Sequence, residues 1–197
     1  MIDDRISNPW YTLWRKIYFI LSQDEEVSVS GLNKEDDNKY NIVITAKQMH
    51  TAYALSQVIK PVFTFGNVKV EVILKHQNIG VLPSTKEDEQ FTDEEIGLLI
   101  CAAFRNNKLF KGVVLIPKKE KSLFAGKVVI LFAKEVIQFY NDDVTDIFGN
   151  FNELAAYVFA DIIKFIYKDK QGKEIFVLCN TYDENAIDED NIFYRHN

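Results

Sequence analysis

The sequence predicts an α+β fold: a mixed or mostly antiparallel sheet covered by helices, with an amphipathic N-terminal helix and an acidic C-terminal tail. Three observations carry this. Segments with helical spacing of apolar residues are separated by segments that alternate as strands do. Their order, αββα(β)βαβββαβ, lacks the strict βαβ alternation of a doubly wound parallel sheet. The 197 residues are 47% hydrophobic and 13% aromatic, enough to build one core of ordinary domain size without disulfides.

Asn8 is a good N-cap and Pro9 suits a first helical turn, where its missing N–H is no loss. Trp10, Leu13, Trp14, Ile17, Tyr18 and Leu21 then mark one face of a helix that ends near Gln23. Tyr11, Phe19 and Ile20 lie off that stripe, so the helix is expected to pack on a surface apart from the covered face of the main sheet.

Residues 27–30 alternate as a strand, 33–38 form a polar turn, and Tyr40 to Ile44 return as the second arm of a hairpin. Thr45 with Gln48 has the spacing of a capping box for a helix that runs to about Ile59 and stops before Pro61. Gly66-Asn67 between apolar residues predicts a tight hairpin, with Val68, Val70, Val72 and Leu74 on one face of its outgoing strand. A polar connection follows from His76 to Phe91.

Thr92 and Glu95 make a second capping box, opening a helix to about Asn106 with Ile96, Leu99, Ile100 and Ala103 inward. Val113–Ile116, Val128–Phe132, Val136–Tyr140 and Ile175–Cys179 read as strands. A last helix carries Ala155, Val158, Phe159, Ile162, Ile163 and Ile166. The expected organisation is an N-terminal helix over 1–24, one α+β domain over 25–180, and a tail over 181–197.

Several chemistries lack their signatures. The 8 glycines are scattered, so no phosphate-cradling loop is present. Cys101 and Cys179 each sit in an apolar run, the setting of a buried free thiol rather than a nucleophile. His50, His76 and His196 are isolated from one another and from the cysteines, unlike the ligands of a zinc site. No cofactor is expected. Asp142, Asp143 and Asp146 could offer oxygen ligands to Mg²⁺ or Ca²⁺, but their spacing fits no calcium loop, and a solvated turn is the expectation.

The formal net charge of −6 argues against general nucleic-acid binding. Charge is unevenly distributed. Arg105, Lys108, Lys111, Lys118, Lys119, Lys121 and Lys127 are opposed within their segment by Glu120 alone. The tail holds Asp183, Glu184, Asp188, Glu189 and Asp190 and then Ile192-Phe193-Tyr194, the composition of a docking segment with an aromatic anchor at Phe193 and Tyr194, seated either on another subunit or back on its own domain. The first residues are acidic where an export signal is basic and then apolar, and no run approaches the roughly 18 apolar residues of a membrane span. A cytoplasmic protein, or one within a phage particle, is expected.

Together these features predict a non-enzymatic structural or interaction protein, a subunit of a larger assembly whose partners are other protein subunits. Its 19 Lys against 4 Arg, with abundant Asn and Ile, fit an AT-rich bacterial or phage coding background. A bacteriophage virion component such as a connector or neck protein is the expected setting. The contact candidates are Trp10, Trp14, Arg105, Lys108, Lys111, Lys118, Lys119, Lys121, Phe193 and Tyr194. The alternatives are a small hydrolase or metal-dependent enzyme built on Asp142, Asp143 and Asp146, or a small bacterial regulatory binding protein.

Overall fold

The computed structural model describes residues 8–84, 91–117 and 125–133, and the backbone of 166–168, 174–181 and 192–195 with the side chain of Tyr194. Helix α1 (Pro9–Leu21) starts as expected: the Asn8 side-chain oxygen accepts from the N–H groups of Trp10 and Tyr11 at 3.1 and 3.3 Å. Its buried face is Leu13, Ile17, Ile20 and Leu21. The stripe is therefore turned from the one the spacing predicts. Ile20 is fully buried, whereas Tyr18 is 46% exposed. Burial of Ile17 and Ile20 is worth about 1.5–3 kcal/mol each.

Strands β1 (Val27–Val29), β2 (Asn33–Asp36), β3 (Lys39–Ala46), β4 (Val62–Phe65), β5 (Val68–His76) and β6 (Gly80–Val81) form the first sheet. β3 and β5 are its parallel centre, in register from Lys39↔Lys69 to Ala46↔His76. β1 and β2 follow one another along the free edge of β3, and β4 and β6 along the free edge of β5, all antiparallel. Even-numbered residues of the centre (Ile42, Ile44, Val70, Val72, Leu74) face the core.

The polar stretch predicted as a turn is thus partly strand. Residues 33–36 pair with β3 and only Asp37-Asn38 turn, because ladder bonds to Tyr40 and Asn41 extend the hairpin beyond its apolar part. Likewise Thr45 caps no helix. It pairs with Ser28 on one side and Lys75 on the other, and two ladders outweigh one local cap. Helix α2 (Met49–Val58) begins after Gln48 with no side-chain cap. The Gly66-Asn67 hairpin forms as predicted, with Phe65 opposite Val68 and Gly66 at φ +61°, the conformation a two-residue primed turn requires.

Helix α3 (Asp93–Ala103) carries the predicted capping box, Thr92 Oγ1 accepting from Glu95 N–H at 3.2 Å while the Glu95 carboxylate accepts from Thr92 N–H at 3.3 Å. It buries Ile96, Ile100 and Ala103, leaves Leu99 half-buried, and ends before Asn106 as the chain turns into the second sheet. That sheet has the order β11-β7-β8-β10-β9, with β7 (Phe110–Leu115), β8 (Val128–Phe132), β9 (Ile166–Lys168), β10 (Glu174–Thr181) and β11 (Ile192–Arg195). Ile166, expected at a helix end, opens β9 opposite Phe176, where an edge ladder takes its backbone. The tail residues Ile192–Arg195, which the sequence gives no element to join, pair antiparallel with β7 of their own chain. Residues 136–140, the acidic loop 141–150 and the helix predicted up to residue 165 lie outside the described residues.

The strands therefore divide between two sheets where their order alone suggests one. α2 packs on β3 and β5, α3 packs on β7, β8 and β11, and the two helices pack on each other. One apolar core runs through all of these elements. It includes α1, whose Trp10 ring stacks on Tyr40 at 6.0 Å and lies 6.4 Å from Phe65. Tyr40 shares the face of Ile42, so α1 lies on the covered face and not on a surface apart. Its broad apolar stripe needs that shelter from water.

Asn107 joins these parts. Buried to 3% exposure, its amide donates to the Ile20 carbonyl at 2.6 Å and accepts from Leu109 N–H at 3.0 Å. Asn107→Ala should lower unfolding stability by roughly 1–3 kcal/mol for each stranded partner. Urea denaturation reads the loss, and Asn106→Ala, exposed in the same turn, should leave the midpoint nearly unchanged.

Candidate functional site

The outer edge of the first sheet carries an open apolar groove. Pro61 precedes β4 and accepts from Val72 N–H at 2.9 Å through its carbonyl, but has no N–H to return to the Val72 carbonyl. On the far side of the gap, Leu82 N–H donates to the Leu74 carbonyl at 2.8 Å. Between β4 and β6 this leaves an open groove of about 270 Å³ lined by Ile59, Pro61, Val62, Val72, Leu74 and Leu82, among others. Val62 at its mouth is 40% exposed and Val81 61%, and Ile79 in the preceding turn is 66% exposed.

The polar groups around the groove are engaged. Glu71 is held by Lys39 at 3.6 Å and Lys69 at 3.7 Å, and Ser84 Oγ donates to the Ser56 carbonyl at 3.1 Å. The turn beside β6 is fixed by His76, whose Nδ1 accepts from Asn78 and Ile79 N–H at 3.2 and 3.1 Å. Such a groove suits an apolar or extended peptide surface. The sequence carried two hints of it, Pro61 and Pro83 flanking short β-branched segments, but which edge they open onto depends on strand order.

The predicted contact residues that are described lie on different elements, Trp10 and Trp14 on α1, Lys111 on β7 and Tyr194 on β11. Trp10 and Trp14 are half-buried in contacts of their own chain, Trp14 Nε1 donating to the Ser30 carbonyl at 2.8 Å and its ring meeting Tyr11 and Tyr18. Arg105, Lys108 and Lys111 are exposed. Lys108 already pairs with Glu25 at 2.8 Å, which holds the Glu25 carboxyl below and the Lys108 ammonium above their ordinary values. Lys111 protrudes at a β-bulge between β7 and β8. Tyr194 packs its ring against α3, 3.3 Å from where a Cβ on Gly97 would stand. Lys118, Lys119, Lys121, Asp142, Asp143, Asp146 and the Phe193 side chain lie outside the described residues.

Among the described residues no group of three or more His, Cys, Asp or Glu side chains converges as metal ligands would, and no helix is long and apolar enough to cross a membrane. Comparison with protein-family models, curated proteins and solved structures gives no significant match.

Cys101 is half-buried, 4.0 Å from the Tyr194 carbonyl, and burial pushes its thiol up to about 11. At neutral pH it is therefore protonated and a poor nucleophile. Because the folded value is raised, its contribution to stability is complete below the ordinary 9.0 and is lost as pH rises through 9.0 toward about 11. Denaturation of wild type and Cys101→Ser on both sides of that window should show the wild type losing ground relative to the variant only at the alkaline end. A constant difference would show that the thiol is not sheltered.

Proposed function

We propose that this chain is a non-enzymatic interaction protein, a subunit of a larger protein assembly. The observation that supports this reading is that Val62 and Val81, both exposed, line an apolar groove at an open sheet edge. Exposed apolar surface beside such a groove suits contact with a partner. The partners in this reading are other protein subunits, alike or unlike. The setting, taken from the Lys-, Asn- and Ile-rich composition, is a bacteriophage particle, with a connector or neck component as the concrete form, or the bacterial cytoplasm.

The test is the mass of the protein in solution. Sedimentation velocity from ~1 to ~100 µM should show species heavier than the 22.8 kDa chain, or purification from the native source should yield a stoichiometric complex with another subunit. A chain that stays monomeric throughout and is recovered without such a partner would overturn the reading.

A further inference from the structure

The two edges of the first sheet differ in chemistry. On one side β2 presents Asn33, Lys34, Glu35 and Asp36, all exposed, with Lys34 paired to Asp37 at 3.2 Å and Lys39 to Glu35 at 3.1 Å. Charge of this kind blunts an edge against further strand pairing. On the other side β4 is Val62-Phe63-Thr64-Phe65, without a charge. Its pairing to β5 uses the odd residues: Pro61 bonds to Val72, and Phe63 and Phe65 stand opposite Val70 and Val68. The N–H and C=O groups of one strand residue point to the same edge, so those of Val62 and Thr64 point outward. The donor that Pro61 lacks faces β5 and not solvent. The proline therefore opens the groove without protecting the outer edge, the reverse of its usual use on edge strands.

We infer that the β4 edge is a strand-pairing interface, and that its occupant is the β4 edge of a second copy of this chain. The outward N–H and C=O groups of Val62 and Thr64 call for an extended backbone. A second β4 fits because the strand is self-complementary about a two-fold axis. Antiparallel pairing with the two Phe63 residues on the axis sets Val62 against Thr64 of the second copy in both directions, each exchanging backbone hydrogen bonds. No charged side chain of the strand then meets another, because β4 carries none. The exposed aliphatic side chains of Val62 and, farther along the edge, Val81 add apolar contact beside the new ladder.

This rests on the reading of the chain as an interaction protein and names the surface and the partner. The experiment introduces like or opposite charges across the inferred register. Val62→Lys/Thr64→Lys opposes lysines at both pairs, and Val62→Glu/Thr64→Glu opposes carboxylates; both positions are exposed, so melts followed by circular dichroism should show an intact fold. By sedimentation velocity the wild type should dimerise, each double variant should associate roughly tenfold more weakly or less, and an equimolar mixture of the two variants should recover the dimer. A wild type that stays monomeric to ~100 µM overturns the second copy as occupant, even if a different subunit is found to bind. Variants that dimerise like the wild type, or a mixture that stays monomeric, overturn the β4 interface; the broader reading then stands on association through another surface.

Discussion

The end of α1, the end of α3 and the start of β7 come together on one buried side chain. Asn107 holds the last carbonyl turn of α1 through Ile20 and the entry to β7 through Leu109, while its own N–H donates to the Phe104 carbonyl at the close of α3. Neighbouring backbone bonds reinforce the joint, Lys108 N–H to the Gln23 carbonyl and Ala133 N–H to the Leu109 carbonyl. A buried amide with strict geometry fixes directions that apolar packing alone leaves loose. Around it Phe104, Phe110 and Phe132 meet ring to ring at 5.6–6.1 Å, so the polar joint sits beside the aromatic part of the core.

From that joint the rest of the arrangement follows. α3 is committed to the second sheet and α2 to the first, and their mutual packing carries the core from one sheet to the other. β8 is buried along its whole length, with Val129 and Leu131 joining Val114 in a separate cluster on the face opposite the main core. Closely packed centres of this kind push the open surface outward to the sheet edges. The first sheet closes one edge with charge and leaves the other apolar, and the gap between β4 and β6 adds a groove to that edge.

Much of this was legible locally. The Asn8-Pro9 start, the Thr92/Glu95 box and the Gly66 turn are short-range devices whose partners lie within four residues, so the sequence displays both halves of each interaction. The Thr45/Gln48 pair shows the limit. It has capping spacing, yet Thr45 lies between Ser28 and Lys75, and neither neighbour can be inferred from the local pattern. The contact surface was less legible still. Trp10 and Trp14 are aromatic residues on a helix stripe, but their rings pack on Tyr40, Tyr11 and Tyr18. Val62 and Val81 resemble any other strand valines until strand order puts them on the outside.

The sequence by itself determined the α+β class, the existence of α1, α2 and α3, most strands of the first sheet, and the lack of familiar phosphate-binding or nucleophile motifs. These follow from periodicity, caps and turn residues, which act over a few positions. Only the tertiary structure decided that the strands form two sheets, that α1 joins the covered face, that Ile192–Arg195 pair with β7, and that one sheet edge is charged while the other is apolar. Each of those is a pairing between residues far apart in the chain, selected by the burial and ladder bonds that the whole fold can satisfy at once.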